Sequence, residues 1–263
     1  MSVWDSPALL IYCGAVALVL GAVFGSFLNC AAWRMTHGES VLRGRSHCPE
    51  CSHVLGAGDL VPVFSWLALR GRCRYCGEKI PVRYPLSECV FALVSLLCLL
   101  RFDLSWICLR NWIFLCCLFC LTLTDLDSMV IPDSCLLIAV GAWLVFLPFT
   151  WQGWPAVRSG LLAAAVFGGG LLGLSLVMDR LLGRDSLGGG DIKLFAVTGL
   201  YLGLAGTLFA TLLACILGLS LSRVLRRRGG EDRQFPFGPA IAAAAALMLL
   251  YGEPLVGWYL GLF

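Results

Sequence analysis

The sequence predicts an all-α polytopic membrane protein of about eight transmembrane helices, with one small cytoplasmic loop domain of zinc-ribbon type. Three observations predict it. Of 263 residues, 59% are hydrophobic and only 13% charged, with a mean hydropathy of +0.87, whereas soluble domains carry roughly 25% charge. Apolar runs recur at lengths that cross about 30 Å of hydrocarbon. One polar stretch, residues 34–84, holds two paired cysteine motifs.

The apolar runs lie near residues 8–33, 85–101, 106–124, 134–150, 158–178, 193–204, 206–222 and 237–251. Their continuity argues for helix, because barrel strands alternate in polarity. Residues 1–7 carry no basic charge, so the run from Ala8 reads as a retained first span rather than a signal segment. The sixth run is short, and its return turn must fall between Tyr201 and Gly206. The chain therefore divides into a first helix (1–33), a cysteine loop (34–84) and a helical membrane domain (85–263).

Basic residues set the orientation. Of the 19 Lys and Arg, eight lie between Arg34 and Arg83, three are Arg180, Arg184 and Lys193, and five lie between Arg223 and Arg233. All fall on one side of an eight-span chain, and only Arg101, Arg110 and Arg158 fall on the other. The positive-inside rule then places both termini outside and the 34–84 loop in the cytoplasm.

Within that loop, Cys48-Pro49-Glu50-Cys51 is followed by Cys73-Arg74-Tyr75-Cys76. Two-residue spacing lets both thiolates of a turn face one ion, and a reducing compartment disfavours disulfides. The expected cofactor is structural zinc held by Cys48, Cys51, Cys73 and Cys76, against a rubredoxin-like iron site or free thiols. With all four positions filled by sulfur, the metal would fold the loop rather than do chemistry. His37, His47 and His53 are the alternative ligands. The loop's positive charge is explained by topology and anionic lipid, and no aromatic stacking platform accompanies it, so no nucleic-acid partner is expected. The other ten cysteines, such as Cys116, Cys117 and Cys120, read as small apolar residues of the spans.

Two acidic groups are harder to assign to solvation. The run 112–123 ends in Thr124-Asp125-Leu126-Asp127 and continues to Ile131-Pro132-Asp133, while Gly188-Gly189-Gly190-Asp191-Ile192-Lys193 opens the sixth span. Each alone reads as helix-end or N-cap aspartates. Both lie at the cytoplasmic face, and acids held beside an uncharged membrane region point to a functional site. Two carboxylates a few ångströms apart cannot both ionise cheaply, so one keeps its proton while the other is a base. The glycines would let an extended substrate approach closely.

At these residues the sequence resembles the type IV prepilin peptidase family, the GxGD aspartic peptidases of bacterial inner membranes. Gly188 to Asp191 fits GxGD and Asp125 to Asp133 fits D-x-D-x-x-x-[IL]-P-D. Gly25-Ser26-Phe27-Leu28-Asn29, Arg83-Tyr84-Pro85-Leu86 with Glu88, and Pro236-Phe237-Gly238-Pro239 look like further landmarks, in order over nearly the whole chain. The resemblance implies an aspartic endopeptidase domain over 85–263. It implies cytoplasmic cleavage of the basic leader of prepilins or pseudopilins after glycine, followed by N-methylation from S-adenosylmethionine. Asp125 and Asp191 take the catalytic role, with Asp127, Asp133, Gly188, Gly190 and Lys193 in support. No glycine-rich Rossmann turn marks a donor site. The rival from another class is a transporter using the boundary carboxylates for ion coupling. Such sites usually lie near the midplane between internal repeats, and no repeat is seen here.

Overall fold

The computed structural model describes residues 3–41, 43–183, 187–227 and 236–261. Among them the elements are helical: α1 (Pro7–Thr36), the short α2 (Phe64–Ala68), α3 (Arg83–Phe102), α4 (Trp106–Ser128), α5 (Asp133–Phe146), α6 (Trp154–Ala163), a π-helical segment (Ala164–Gly169), α7 (Gly170–Leu182), α8 (Gly189–Arg227) and α9 (Gly238–Leu260). Six helical stretches are long and apolar enough to cross a membrane, with α6 to α7 counted as one. Large apolar side chains such as Val19, Leu161 and Ile216 face outward along them, as lipid contact requires.

The expected eight runs correspond to these helices with two differences. At 14 residues, α5 rises about 21 Å, short of the hydrocarbon thickness; it ends at Phe146, and Pro148, two residues on, has no amide with which to continue the helical hydrogen bonds. The sixth and seventh runs join as α8, broken at Gly203 (φ 66°, ψ −175°). That glycine lies inside the stretch expected to hold the turn. The Leu204 amide there is taken by Ser159 Oγ at 3.1 Å.

The chain forms two compact units, divided between Cys108 and Leu109. In the first, α1 packs on α3. A Cβ at Gly21 would lie 2.7 Å from Ala92 Cα, and one at Gly25 3.1 Å from Glu88 Cα, so these glycines let the two backbones meet. Asn29 Nδ2 donates to Ser87 Oγ at 2.7 Å and to Gly25 O at 2.9 Å. The landmark Gly25–Asn29 stretch is thus a helix-packing device. In the second unit, α8 packs on α6, the π segment, α5 and α9. A Cβ at Gly160, Gly168 or Gly199 would come within 2.9 Å of the facing helix. Tyr201 stacks on Phe114 of α4 at 3.9 Å and donates to Ala139 O of α5 at 2.7 Å.

Candidate active site

Asp125 belongs to the last turn of α4. The helix ends where Met129 takes a left-handed φ of 55° and its amide bonds Asp125 O at 2.9 Å. Asp125 and Asp127 therefore sit at the negative end of a helix dipole, an unfavourable place for acids. Asp127 is exposed to solvent. Asp125 is only 4% exposed, and its Oδ2 accepts the Gly238 amide at 3.0 Å. Gly238 is the first residue of α9, so the positive end of one helix offsets the negative end of another. A buried carboxylate without such a donor would cost several kcal/mol.

Asp191 is the third residue of α8, half-buried, with its amide bonded to Gly188 O at 3.0 Å. The Asp125 charge acts on it electrostatically. The side chain that joins the two acidic segments is Ile131. A Cβ on Gly190 would fall 2.9 Å from Ile131 Cβ, and one on Gly238 would fall 2.6 Å from Asp125 Oδ2 and 3.4 Å from Ile131 Cδ1. A Cβ on Gly188 would meet Asp191 Oδ2 at 3.2 Å, whereas Gly189 faces open space. The third position of G-x-G-D thus has no room for a side chain, the first is close to the Asp191 carboxylate, and the second is free.

Of the remaining residues singled out from sequence, Lys193 Nζ donates to Asp133 Oδ1 at 2.7 Å, with both side chains more than half exposed. The pair ties the first turn of α8 to the first residue of α5. Ile131 and Gly238 lie in stretches that stand out in the sequence as landmarks, and neither has a predicted role of its own. Both roles lie in the backbone or in apolar contact, where residue type carries no chemical signal.

The four loop cysteines form a candidate metal centre. Their sulfurs all lie within 4.8 Å of one another, with Cys48 and Cys76 at 3.9 Å. Thiolates about 2.3 Å from one tetrahedral ion would be about 3.8 Å apart, so the set fits. Two like turns present them. The Cys48 amide donates to His53 O at 3.0 Å and the Ser52 amide to Cys48 O at 2.8 Å. The Cys73 amide donates to Glu78 O at 2.8 Å and the Gly77 amide to Cys73 O at 3.0 Å. Ser52 and Gly77, at matching places, both have positive φ. Amides of Cys76 and Tyr75 hold the Cys73 thiol down to about 7. The Glu78 amide also favours the Cys76 thiolate, but desolvation and the neighbouring sulfurs outweigh it and push Cys76 up to about 12. A divalent cation would remove that mutual resistance to ionisation.

The three histidines are placed elsewhere. His37 stacks on Trp33 at 4.2 Å, His47 meets the Trp33 edge, and His53 stacks on Tyr75 at 3.6 Å. Asp59 braces the second turn from outside, accepting from Arg74 Nε at 2.7 Å, Gly56 N at 3.1 Å and Tyr75 Oη at 3.3 Å.

Comparison with known proteins gives matches over most of the chain. Residues 112–222 match the Type IV leader peptidase family, and residues 19–102 match the Bacterial Peptidase A24 N-terminal domain. A Bacillus subtilis protein named prepilin leader peptidase/N-methyltransferase is 33% identical, with 94% of this chain and 97% of that protein covered. Proteins of the same name from Aeromonas hydrophila (34% identical; 82% and 74% covered) and Neisseria gonorrhoeae (30%; 93% and 94%) are similar to it. No solved structure matches the chain.

Proposed function

The chain belongs to the type IV leader peptidase family, and from that premise we propose that it is a membrane aspartic endopeptidase. Its substrates are prepilins or pseudopilins, whose basic leader it cleaves after glycine before methylating the new N-terminus. The observation that carries the reading is the convergence of Asp125 and Asp191 through Ile131, Gly190 and Gly238. A transporter would have no use for a GxG turn shaped around a carboxylate, and the family relation gives it no support.

Asp125 and Asp191 act as a pair. One carboxylate takes a proton from water, which attacks the carbonyl of the leader's terminal glycine. The other carboxyl gives its proton to the carbonyl oxygen; on collapse of the tetrahedral intermediate it regains a proton from a hydroxyl, while the first carboxyl passes the proton taken from water to the nitrogen that leaves as the new N-terminal amine. The Gly238 amide fixes one oxygen of Asp125, so the orientation of that carboxylate is set before substrate arrives. Asp127, Asp133 and Lys193 support the site from its exposed edge. Gly188 and Gly190 leave the space that the Asp191 side chain and Ile131 occupy.

Zinc is the metal we assign to Cys48, Cys51, Cys73 and Cys76, as a closed site that folds the 34–84 loop. S-adenosylmethionine would supply the methyl group. Among the described residues no glycine-rich strand-turn-helix offers it a seat, and no residue is assigned to it. As a multi-spanning member of this family the protein lies in a bacterial inner membrane, and by the distribution of basic residues both termini are outside and the loop and aspartates cytoplasmic.

The test is release of the leader from a synthetic prepilin by the purified protein in detergent. Asp125→Asn and Asp191→Asn should each abolish it, since Asn is nearly isosteric but cannot exchange a proton, and loss of one acid–base group costs about 10²–10⁴-fold. The double variant should be hardly slower than either. Asp127→Asn and Asp133→Asn should stay active. Cleavage by Asp191→Asn within a few fold of wild type would overturn the aspartyl mechanism.

A further inference from the structure

We propose that segment 60–67 of the cysteine loop is seated in the lipid interface, so that the metal ribbon is anchored to the bilayer by its own apolar patch. Leu60, Val61, Phe64 and Leu67 are all exposed, Phe64 at 72% and Leu67 at 57%. Phe64 and Leu67 stand three residues apart on α2 and so lie on one face of it, and Leu60 and Val61 are exposed in the turn that leads into it. The ribbon does not cover them. Trp66 is the residue of α2 directed inward, with Nε1 donating to Ile80 O at 3.0 Å and its ring against the backbone of Gly71.

A second observation sets the depth of this patch. The Val63 amide donates to Glu88 Oε2 at 2.7 Å. Glu88 is buried on the second turn of α3, packed against Gly25 of α1, about 7.5 Å along the helix from its start at Arg83. The bond therefore holds residues 60–67 level with membrane-spanning helix rather than above it. At that level α3 itself exposes Leu86 and Val90, so the patch continues the lipid-facing surface of the span. Val63 adopts φ 62°, ψ −51° to reach Glu88, and the Phe64 amide closes a three-residue turn on Pro62 O at 2.6 Å. A β-branched residue in that conformation is strained, and a free-standing loop would relax it.

Charge agrees with the same partner. Arg70 and Arg72 are exposed just beyond α2, and Arg83 at the start of α3, where anionic headgroups would meet them. A short segment with apolar and aromatic residues on one side and basic residues beside it is the pattern of an interfacial anchor.

The experiment uses the full chain in vesicles of phosphatidylethanolamine and phosphatidylglycerol, with a benzophenone amino acid in place of Phe64, of Leu67, or of the exposed ribbon residue Lys79. After irradiation, mass spectrometry should find phospholipid adducts at 64 and 67 several-fold above those at 79. Radical footprinting of the unmodified protein should agree, with Phe64 and Leu67 shielded in vesicles while Tyr75 is labelled. Equal adduct yield at all three positions, or labelling of Phe64 as readily as Tyr75, would overturn the proposal. So would crosslinks from 64 and 67 that go to added prepilin in place of lipid, because the patch would then be a substrate-docking surface.

Discussion

Gly238→Ala is the sharpest test of how the acidic pair is held. The new Cβ would lie 2.6 Å from Asp125 Oδ2 and 3.1 Å from Cγ. Ordinary contact begins near 3.4 Å, so either the carboxylate or the start of α9 must move by about 0.8 Å, and misplacements of about 1 Å can cost 10²-fold in rate. Ile131 stands 3.4 Å from the same point and limits escape on that side. The change leaves the amide donor in place and adds no charge, so its effect should fall on turnover rather than on folding. We expect leader cleavage to drop on the order of 10²-fold, about 2.7 kcal/mol of barrier, with normal yield and monodispersity in detergent. Gly189→Ala is the matched control: nothing lies within 4 Å of its Cβ, and cleavage should stay near wild type. Mass spectrometry of a synthetic prepilin before and after incubation measures both. If Gly189→Ala is as slow as Gly238→Ala, or if Gly238→Ala cleaves within about threefold of wild type, space around Asp125 is not what the glycine provides.

Replacing Cys73 and Cys76 together by serine should remove the metal from purified protein and loosen the 34–84 loop to proteolysis; near-stoichiometric zinc in that variant would sink the four-thiolate site. Hydrogen bonds from Arg74 and Gly56 hold the Asp59 carboxyl below the usual carboxylate range, so its contribution to loop stability is fully present above its unfolded value of about 4 and is lost as pH falls through the lower folded value. The difference in loop protease resistance between wild type and Asp59→Asn should therefore be constant from pH 7 to about 5 and shrink only below about 4, and a difference that vanishes nearer neutrality would contradict this. The exposed Lys193–Asp133 pair should be worth at most about 1 kcal/mol. Lys193→Met should thus cleave within a few fold of wild type, with the deficit shrinking as salt is added; complete loss would give Lys193 a larger role than the pair allows.

Much of this architecture is readable in the chain because spans and knuckles both depend on side-chain type. Hydropathy marks α1, α3 and α4 to within a few residues, and the paired Cys-x-x-Cys spacing marks the sulfur cluster. Hydropathy fails at the ends of helices. The apolar run 106–124 stops at the first carboxylate, but the helix continues to Ser128 because backbone bonding persists until Met129 turns left-handed. That difference matters, since it makes Asp125 a buried residue of the last helical turn rather than a solvated helix-end aspartate. The histidines illustrate a second limit: residue type makes them possible ligands, and only the rings of Trp33 and Tyr75 show where they are used. Gly238 illustrates a third, because an amide donor looks the same in every sequence.

The site's position at helix ends follows from the membrane itself. Within an unbroken span the backbone amides are committed to the helix, so a buried carboxylate there depends on a donor brought from elsewhere, as the Val63 amide is brought to Glu88. Helix N-termini carry free amides, and Asp125 takes the one that Gly238 offers. Asp191, in the first turn of α8, is likewise at an N-terminus, where negative charge is favoured. Built on the end of α4 and the starts of α8 and α9, the pair lies where these spans meet the boundary between lipid and water. A prepilin presents its scissile bond at the same boundary, between a soluble basic leader and an apolar helix. The constraint that fixes where the enzyme can hold two acids thus also fixes which part of a membrane-inserted substrate they can reach, and it disfavours a midplane ion site for the same pair of residues.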